Sequence, residues 1–460
     1  MVSQSLRLRL AALQGDPSFK LGPRHGTPRV PDGGSPEQVD LLGRVAQLGF
    51  VWEAERGILV RQLDVPLATL NLLPEQLAWK AIAPIGEAVP VEGPVSVLCF
   101  DLETTGLQKG AGTVPFLYGW ASYRGGSDSV SLEQWLLPEL GEEAPLVKSA
   151  LAQISQAGLL LTYNGSSYDL PLLRARMVMA GVDRPWPATA HLDLLPVVRR
   201  LFRHRLDRCT LRVVEEDLLG QGRGHDLPGR EAPERYWRFL QTGDPAPLAD
   251  VVRHNQQDVL SLLSLVQRLG RHLELQEAQP SDWLSLGRFV EERGDLTAAQ
   301  LAYRMAERVA PPPLDRAAGL RRARLLRRQG KTEDALQAWQ ALWQRWRDPE
   351  AAEAICVDLE HRQRDVAAAL SLAREAMLES SVGWDQRFAK RIWRLRSRLG
   401  ADPDDAEPAR SFRASTSQDR PWATWLPGGE SYEAWLILRR GMRTAEGIER
   451  SRSRVVARAG

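Results

Sequence analysis

The sequence predicts an α/β domain, a mixed sheet flanked by helices, followed by an all-α domain of helical repeats. Short, nearly continuous apolar runs at 95–100 and 158–163 are typical of buried central strands. Strand patterns come first and then alternate with helical patterns, which favours a sheet with helices packed on it. Beyond residue 280 the chain is helical and repetitive. These observations place the sheet first and the stack of helices second.

Two further strands and several helices complete the predicted α/β domain. Strands are expected at 116–123 and 130–137, because the segment 124–128 between them is rich in turn-forming residues. Helical patterns follow the second apolar run. We predict them at 168–181, 194–204, 233–241 and 246–270.

The composition divides the chain into five regions. The first is rich in Gly, Pro and Ser, as flexible segments are. We predict a flexible arm at 1–35, a small lead-in of unassigned fold at 36–94, the α/β domain at 95–272, helical repeats at 280–398 and a partly disordered tail at 399–460. Trp422, Trp425 and Trp435 in the tail could cap the repeat stack or dock on a partner, and both readings stay open.

The helical region repeats at intervals of 36 and 34 residues. Turn-like pairs recur as Gly294-Asp295, Gly330-Lys331 and Arg364-Asp365. Counted from the first residue of each pair, the fifth residue onward is an alanine. The ninth is Tyr303, Trp339 or Ala373. The region resembles tetratricopeptide repeats, whose unit is about 34 residues. An ordinary helical bundle is the alternative.

The bulk properties exclude several classes of protein. No apolar run reaches the roughly 18 residues of a membrane helix. The first apolar patch contains Arg7 and Arg9, which makes a poor signal peptide, so we expect a cytoplasmic protein without a membrane partner. Three scattered cysteines form neither a paired metal motif nor a disulfide framework. The net charge of +2 decides nothing about nucleic acid.

Acidic residues follow the first buried strand. Asp101 and Glu103 are alternate residues, so they share one face of a strand. Two adjacent carboxylates repel unless a cation lies between them, and hard divalent cations such as Mg²⁺ or Mn²⁺ prefer oxygen ligands. The alternative is a solvated strand end. The pattern predicts a metal site here.

Two more motifs follow along the chain. Asn164 and Asp169 follow the second buried strand and open a helix, where they could also be turn and cap residues. His254 and Asp258 lie four residues apart in a helical pattern and therefore share one face. Two divalent ions about 4 Å apart can activate water and stabilise a leaving alkoxide in phosphodiester hydrolysis. Four carboxylates would balance their charge.

In order along the chain, these three motifs resemble those of the DnaQ-like, or DEDD, superfamily of RNase H-like exonucleases. The closer resemblance is to the YprB-like (mitomycin repair factor B-like) group. Supporting segments are Gly110–Thr113, Arg203–Leu206, Leu227–Gly229, Glu234–Tyr236 and His254-Asn255. The resemblance covers about 95–270, and the group also carries a helical repeat domain.

The resemblance implies a metal-dependent 3′→5′ exonuclease acting on DNA, in repair. It implies Asp101, Glu103, Asp169 and Asp258 as ligands of two Mg²⁺ or Mn²⁺ ions and His254 as the base. Histidine-type enzymes of the superfamily place the base five residues before the last aspartate, whereas here it lies four before. We also expect Thr104, Thr105, Asn164, Arg203 and Arg205 to contact the substrate and Asp193 to support the ligands.

Two alternative functions remain open on the sequence. An exoribonuclease could use the same carboxylates, because nothing in these residues reads a 2′-hydroxyl. A non-catalytic adaptor could bind partners through the repeats, although a decayed site would tolerate the loss of a carboxylate and all four are present. The repeats also suggest a protein partner, with a helicase as one candidate, because an exonuclease needs a delivered strand end.

Overall fold

The computed structural model describes residues 36–73, 77, 79–82, 96–106, 112–222, 227–274, 278–379 and 383–400. The predicted arm at 1–35, the end of the predicted lead-in at 83–94 and the tail beyond 400 with its tryptophans lie outside the described residues. The chain divides into two compact units, one ending at Gly294 and the other beginning at Asp295. In the parts described, no helix is both long and apolar enough to cross a membrane.

A seven-stranded mixed sheet forms the centre of the first unit. The strand order is β1-β2-β5-β4-β3-β6-β7. The strands are β1 Val51–Glu53, β2 Ile58–Pro66, β3 Ser96–Thr104, β4 Pro115–Arg124, β5 Ser129–Leu136, β6 Leu159–Thr162 and β7 Ala190–Asp193. Strand β3 is antiparallel to β4 and parallel to β6, so both of its edges are paired. The apolar runs that predicted central strands are β3 and β6.

The described part of the first unit also contains α-helices. They are α1 Pro36–Val45, α2 Trp79–Ile82, α3 Ala144–Gln156, α4 Asp169–Met179, α5 Leu194–Phe202, α6 Leu211–Val214, α7 Ala232–Thr242, α8 Leu248–Leu273 and α9 Trp283–Glu292. The long helix α8 contacts β3, β4 and β5. Its buried face, from Leu248 to Leu269, is the apolar stripe that predicted a helix at 246–270.

Part of the predicted lead-in belongs to the same sheet. Strand β2 pairs antiparallel with β5, from Leu59 opposite Leu136 to Pro66 opposite Ser129. The pattern did not predict this strand because half of it is exposed, and Arg61, Gln62 and Asp64 interrupt its apolar residues. The domain boundary at residue 95 stays a prediction of the sequence pattern, with β1 and β2 upstream of it.

The second unit is helical throughout its described part. Its α-helices are α10 Leu296–Val309, α11 Leu314–Arg328, α12 Thr332–Trp346, α13 Pro349–Asp358, α14 Val366–Glu379 and α15 Trp384–Arg398. The alanines that follow the repeated turns, Ala299, Ala335 and Ala369, are all buried. The predicted fold class, a mixed sheet with flanking helices followed by an all-α region, is confirmed, and the tetratricopeptide assignment stays a prediction.

Candidate active site

The central strand β3 carries the first two acidic residues. Asp101 and Glu103 are separated by one residue, so they lie on the same face of the strand. Glu103 is only 8% exposed, and Asp101 is partly buried. Helix α8 packs against this strand. The predicted shared face therefore lies where side chains from α8 can reach it.

Helix α8 brings His254 and Asp258 to the strand. Nε2 of His254 lies 3.5 Å from Oδ2 of Asp258, one turn away on the same helix. The same nitrogen lies 3.9 Å from Oε1 of Glu103. The third and first motifs of the sequence thus meet, with the imidazole between two carboxylates.

Asp169 is the first residue of helix α4 and is 5% exposed. The loop before it is held by Asp193, at the end of β7. The carboxylate of Asp193 accepts backbone N–H bonds from Asn164 at 2.8 Å, Ser166 at 3.1 Å and Leu195 at 3.1 Å. Asn164 adopts a left-handed conformation with φ of 69°. Asp193 thereby fixes the loop that presents Asp169.

Electrostatic repulsion joins the acidic residues into one group. Burial raises the pKa of Asp101 well above its usual range, and the charges of Asp258, Asp169 and Glu103 raise it further. Burial also raises the pKa of Asp169 to about 7, with Asp193 and Asp258 contributing, while backbone hydrogen bonds oppose the shift. Carboxylates from β3, α4 and α8 therefore act on one another.

The threonines after Glu103 hold the turn that ends β3. The carbonyl of Gly106 accepts hydrogen bonds from the hydroxyls of Thr104, at 2.7 Å, and Tyr168, at 2.9 Å. The hydroxyl of Thr105 accepts from the backbone N–H of Val114 at 2.9 Å. These bonds order the chain beside the acidic group, and substrate contact by either threonine stays a prediction.

The two arginines expected at the substrate differ in their surroundings. Arg203 is exposed after helix α5. Arg205 is 16% exposed, donates to the buried carboxylate of Asp282 at 2.9 Å and lies over the ring of Phe202. Arg205 is therefore the positive partner that the buried carboxylate requires, and the substrate contact expected of it stays a prediction.

Sequence reasoning missed a buried amide beside the acidic group. Asn255 is fully buried, and its Nδ2 donates to Oδ2 of Asp101 at 3.0 Å. Its Oδ1 accepts from Nε2 of Gln134 at 2.9 Å. A signal was available at Gly119, in the middle of a predicted strand, where a glycine often marks a close approach by another group.

The donor set fits a hard divalent cation. All four carboxylates supply oxygen ligands, and a cation would offset the repulsion that raises the pKa of Asp101. Over the described residues, no three His, Cys, Asp or Glu side chains are arranged to hold a metal ion as they stand.

Comparisons with known proteins agree with this architecture. Residues 98–270 match the family model of the RNase H superfamily, a range that includes β3, α4 and α8. The uncharacterized protein YprB of Bacillus subtilis (strain 168) is 29% identical over 370 residues, which cover 76% of this chain and 88% of YprB. The match to YprB thus extends well beyond the superfamily domain. Residues 98–270 are therefore similar to the RNase H superfamily, and most of the chain is similar in sequence to YprB.

Proposed function

We propose that this protein is a two-metal-ion 3′→5′ exonuclease that hydrolyses the phosphodiester bonds of DNA, in DNA repair. The observation that carries the proposal is the group of four carboxylates from β3, α4 and α8, in which the charges of the other three act on Asp101. The RNase H superfamily match supports a nucleic-acid hydrolase. The polarity and the choice of DNA rest on the resemblance of the three motifs to those of the YprB-like group.

Two Mg²⁺ or Mn²⁺ ions would be held by the four carboxylates, which are Asp101, Glu103, Asp169 and Asp258. When bound, such ions polarise the phosphate, lower the pKa of water and stabilise the leaving oxygen. His254 would accept the proton of the attacking water, and its neighbours Asp258, at 3.5 Å, and Glu103, at 3.9 Å, would stabilise the imidazolium that results. Asp193 would hold the loop that presents Asp169.

Arg203 would contact substrate phosphates, because it is exposed at the end of helix α5. The nucleic-acid strand would also contact Thr104, Thr105 and Asn164 beside the carboxylates.

We also propose that the helical region binds a protein partner, with a helicase as the candidate. The test is a pull-down with and without residues 280–400. A partner retained by the shortened chain would contradict it.

The test is a degradation assay with the purified full chain. Single- and double-stranded DNA, labelled at the 5′ or the 3′ end, and matched RNA are incubated with Mg²⁺, with Mn²⁺ or with a chelator. We expect metal-dependent trimming of DNA from the 3′ end. Asp258→Ala should lower the rate at least about 10⁴-fold, because it removes a ligand on which the whole reaction depends.

Each part of the proposal has its own contradicting result. Trimming of RNA alone would replace the DNA assignment with an exoribonuclease. Release of the 5′ label first would contradict the polarity. Equal activity of Asp258→Ala and the parent, or no metal-dependent hydrolysis of any substrate, would contradict the nuclease itself and favour an adaptor.

A further inference from the structure

A polar row crosses four neighbouring strands beneath helix α8. In the register of the sheet, Arg61 of β2 lies opposite Gln134 of β5, Gln134 opposite Gly119 of β4, and Gly119 opposite Asp101 of β3. Residues directly opposite one another share a face of the sheet. Gln134 is fully buried, and so is Asn255, whose side chain extends from α8 to this row. Buried amides of this kind need complete hydrogen bonding.

The hydrogen bonds along the row fix the orientation of both amides. Arg61 can only donate, so the atom of Gln134 that it contacts at 2.6 Å must be the oxygen. The amide nitrogen of Gln134 then donates to the backbone carbonyl of Val252 at 2.8 Å and to Oδ1 of Asn255 at 2.9 Å. Asn255 is left with its NH₂ group facing Asp101.

Asn255 therefore presents a donor to Asp101 and to nothing else in the row. Its Nδ2 lies 3.0 Å from Oδ2 of the carboxylate and 3.5 Å from the backbone carbonyl of the same residue. One bond holds the side chain and the other the main chain. Together they limit rotation of the carboxylate about its side-chain bonds.

Gly119 provides the space that this contact requires. A Cβ atom built at Gly119 would lie 2.2 Å from Oδ1 and 2.6 Å from Nδ2 of Asn255, far inside van der Waals contact. The amide cannot easily move aside, because its Oδ1 is hydrogen-bonded to Gln134 and its Nδ2 to Asp101. Any side chain at position 119 would displace Asn255 from Asp101.

We propose that Asn255 is a positioning residue, which holds the Asp101 carboxylate in the orientation that a divalent cation requires and is itself held by Gln134 and Arg61. This inference rests on the proposed metal-dependent function. Groups that orient metal ligands in this way commonly change metal affinity by about 10–100-fold when they are removed.

The test compares Mn²⁺ affinity in three near-isosteric variants of the full chain, measured by calorimetric titration. Asn255→Leu removes the donor to Asp101, and Gln134→Met removes the support of Asn255 without touching the carboxylate. Gln267→Leu is the matched control. Gln267 is also a bonded amide on α8, with contacts to Asn71 and Leu73, but it lies about 18 Å along the helix from Asn255.

We expect the Mn²⁺ dissociation constant to rise at least about 10-fold in Asn255→Leu and about 3-fold in Gln134→Met, and to stay unchanged in Gln267→Leu. Thermal unfolding without metal is recorded in parallel. A purely structural role would lower the melting temperature and leave the affinity of the folded protein unchanged, and this result would overturn the proposal. If Asn255→Leu does not fold, Gln134→Met decides in the same way.

The outcomes separate this inference from the proposed function. If the parent binds Mn²⁺ and the folded Asn255 and Gln134 variants bind it equally well, the positioning role is wrong and the metal site remains. If the parent binds no Mn²⁺, the metal site and the positioning role are both wrong.

Discussion

Buried acidic side chains occur in both units of the protein, but different groups surround them. In the helical unit, Glu360 is 2% exposed and is bonded by Arg391 and, at 2.6 Å, by Arg394. Asp348 is 1% exposed and accepts from Arg316 at 2.7 Å. Each of these carboxylates has a guanidinium as its partner, which is the usual condition for burying a charge.

In the sheet unit, the charges that act on Asp101 are those of three other carboxylates. Burial, and to a smaller extent the charges of neighbouring carboxylates, raise the pKa values of Asp101 and Asp169, so ionising them costs free energy in the folded state. Strongly perturbed carboxylates in one place are typical of functional sites. The comparison indicates that the acidic residues of the helical unit serve the fold, and it supports the catalytic role proposed for those on β3, α4 and α8.

The largest effect on activity in this comparison is expected from substitution of His254, whose imidazole lies in the acidic group of the sheet unit. We expect His254→Gln to lower the rate of hydrolysis about 10²–10⁴-fold and to change the pH dependence of the remaining activity, because a general base contributes about that much. Activity is measured against pH for the variant and the parent. An unchanged pH profile would remove His254 as the base.

Breaking an ion pair of the helical unit should lower stability and leave activity unchanged. Glu360→Gln leaves Arg391 and Arg394 without their carboxylate, so the free energy of unfolding should fall by about 3 kcal/mol. Hydrolysis by the folded variant should equal that of the parent. Denaturant unfolding and the nuclease assay check the two halves. A loss of activity without a loss of stability would contradict the division between the two regions.

A smaller effect is expected at Asp282, a paired carboxylate of the sheet unit. Burial acts to raise the pKa of Asp282, but hydrogen bonding by His204 and the charge of Arg205 outweigh it, so the pKa lies below its usual 3.8. A depressed folded pKa contributes stability above the unfolded value, and this contribution is lost as the pH falls through the folded pKa. We expect Asp282→Asn to cost about 1–2 kcal/mol at pH 7 and less in acid, as the pH falls below 3.8. An equal cost at both pH values would contradict this.

The sequence predicted the regions whose pattern is local. Strands β3 and β6 are continuous apolar runs, and α8 has a clear helical stripe, so the spacing of residues alone assigns Asp101 with Glu103, and His254 with Asp258, to shared faces. Strand β2 was missed because its exposed half mixes polar and apolar residues. Its pairing with β5 is a long-range contact that no local pattern encodes.

The contacts of single polar side chains were the least predictable part. Arg205 was expected only to contact the substrate, and its contact with Asp282 was missed because it joins residues 77 positions apart. Asn255 adjoins His254 in sequence, yet its bonds to Asp101 and Gln134 exist only because the sheet register aligns those strands beneath α8. Gly119 was the one local indication of that approach.

The central claim is that the carboxylates around Asp101 are held together for a cation. The most direct measurement is thermal unfolding of the parent and of Asp101→Asn at about pH 8, with and without Mn²⁺. Without metal, we expect Asp101→Asn to melt about 2–4 °C higher, because it removes a carboxylate that the fold disfavours. With Mn²⁺ at about 100 times its dissociation constant, the parent should gain about 2.7 kcal/mol and the variant much less.

A parent that Mn²⁺ does not stabilise, together with an Asp101→Asn variant that melts below the parent without metal, would contradict the claim.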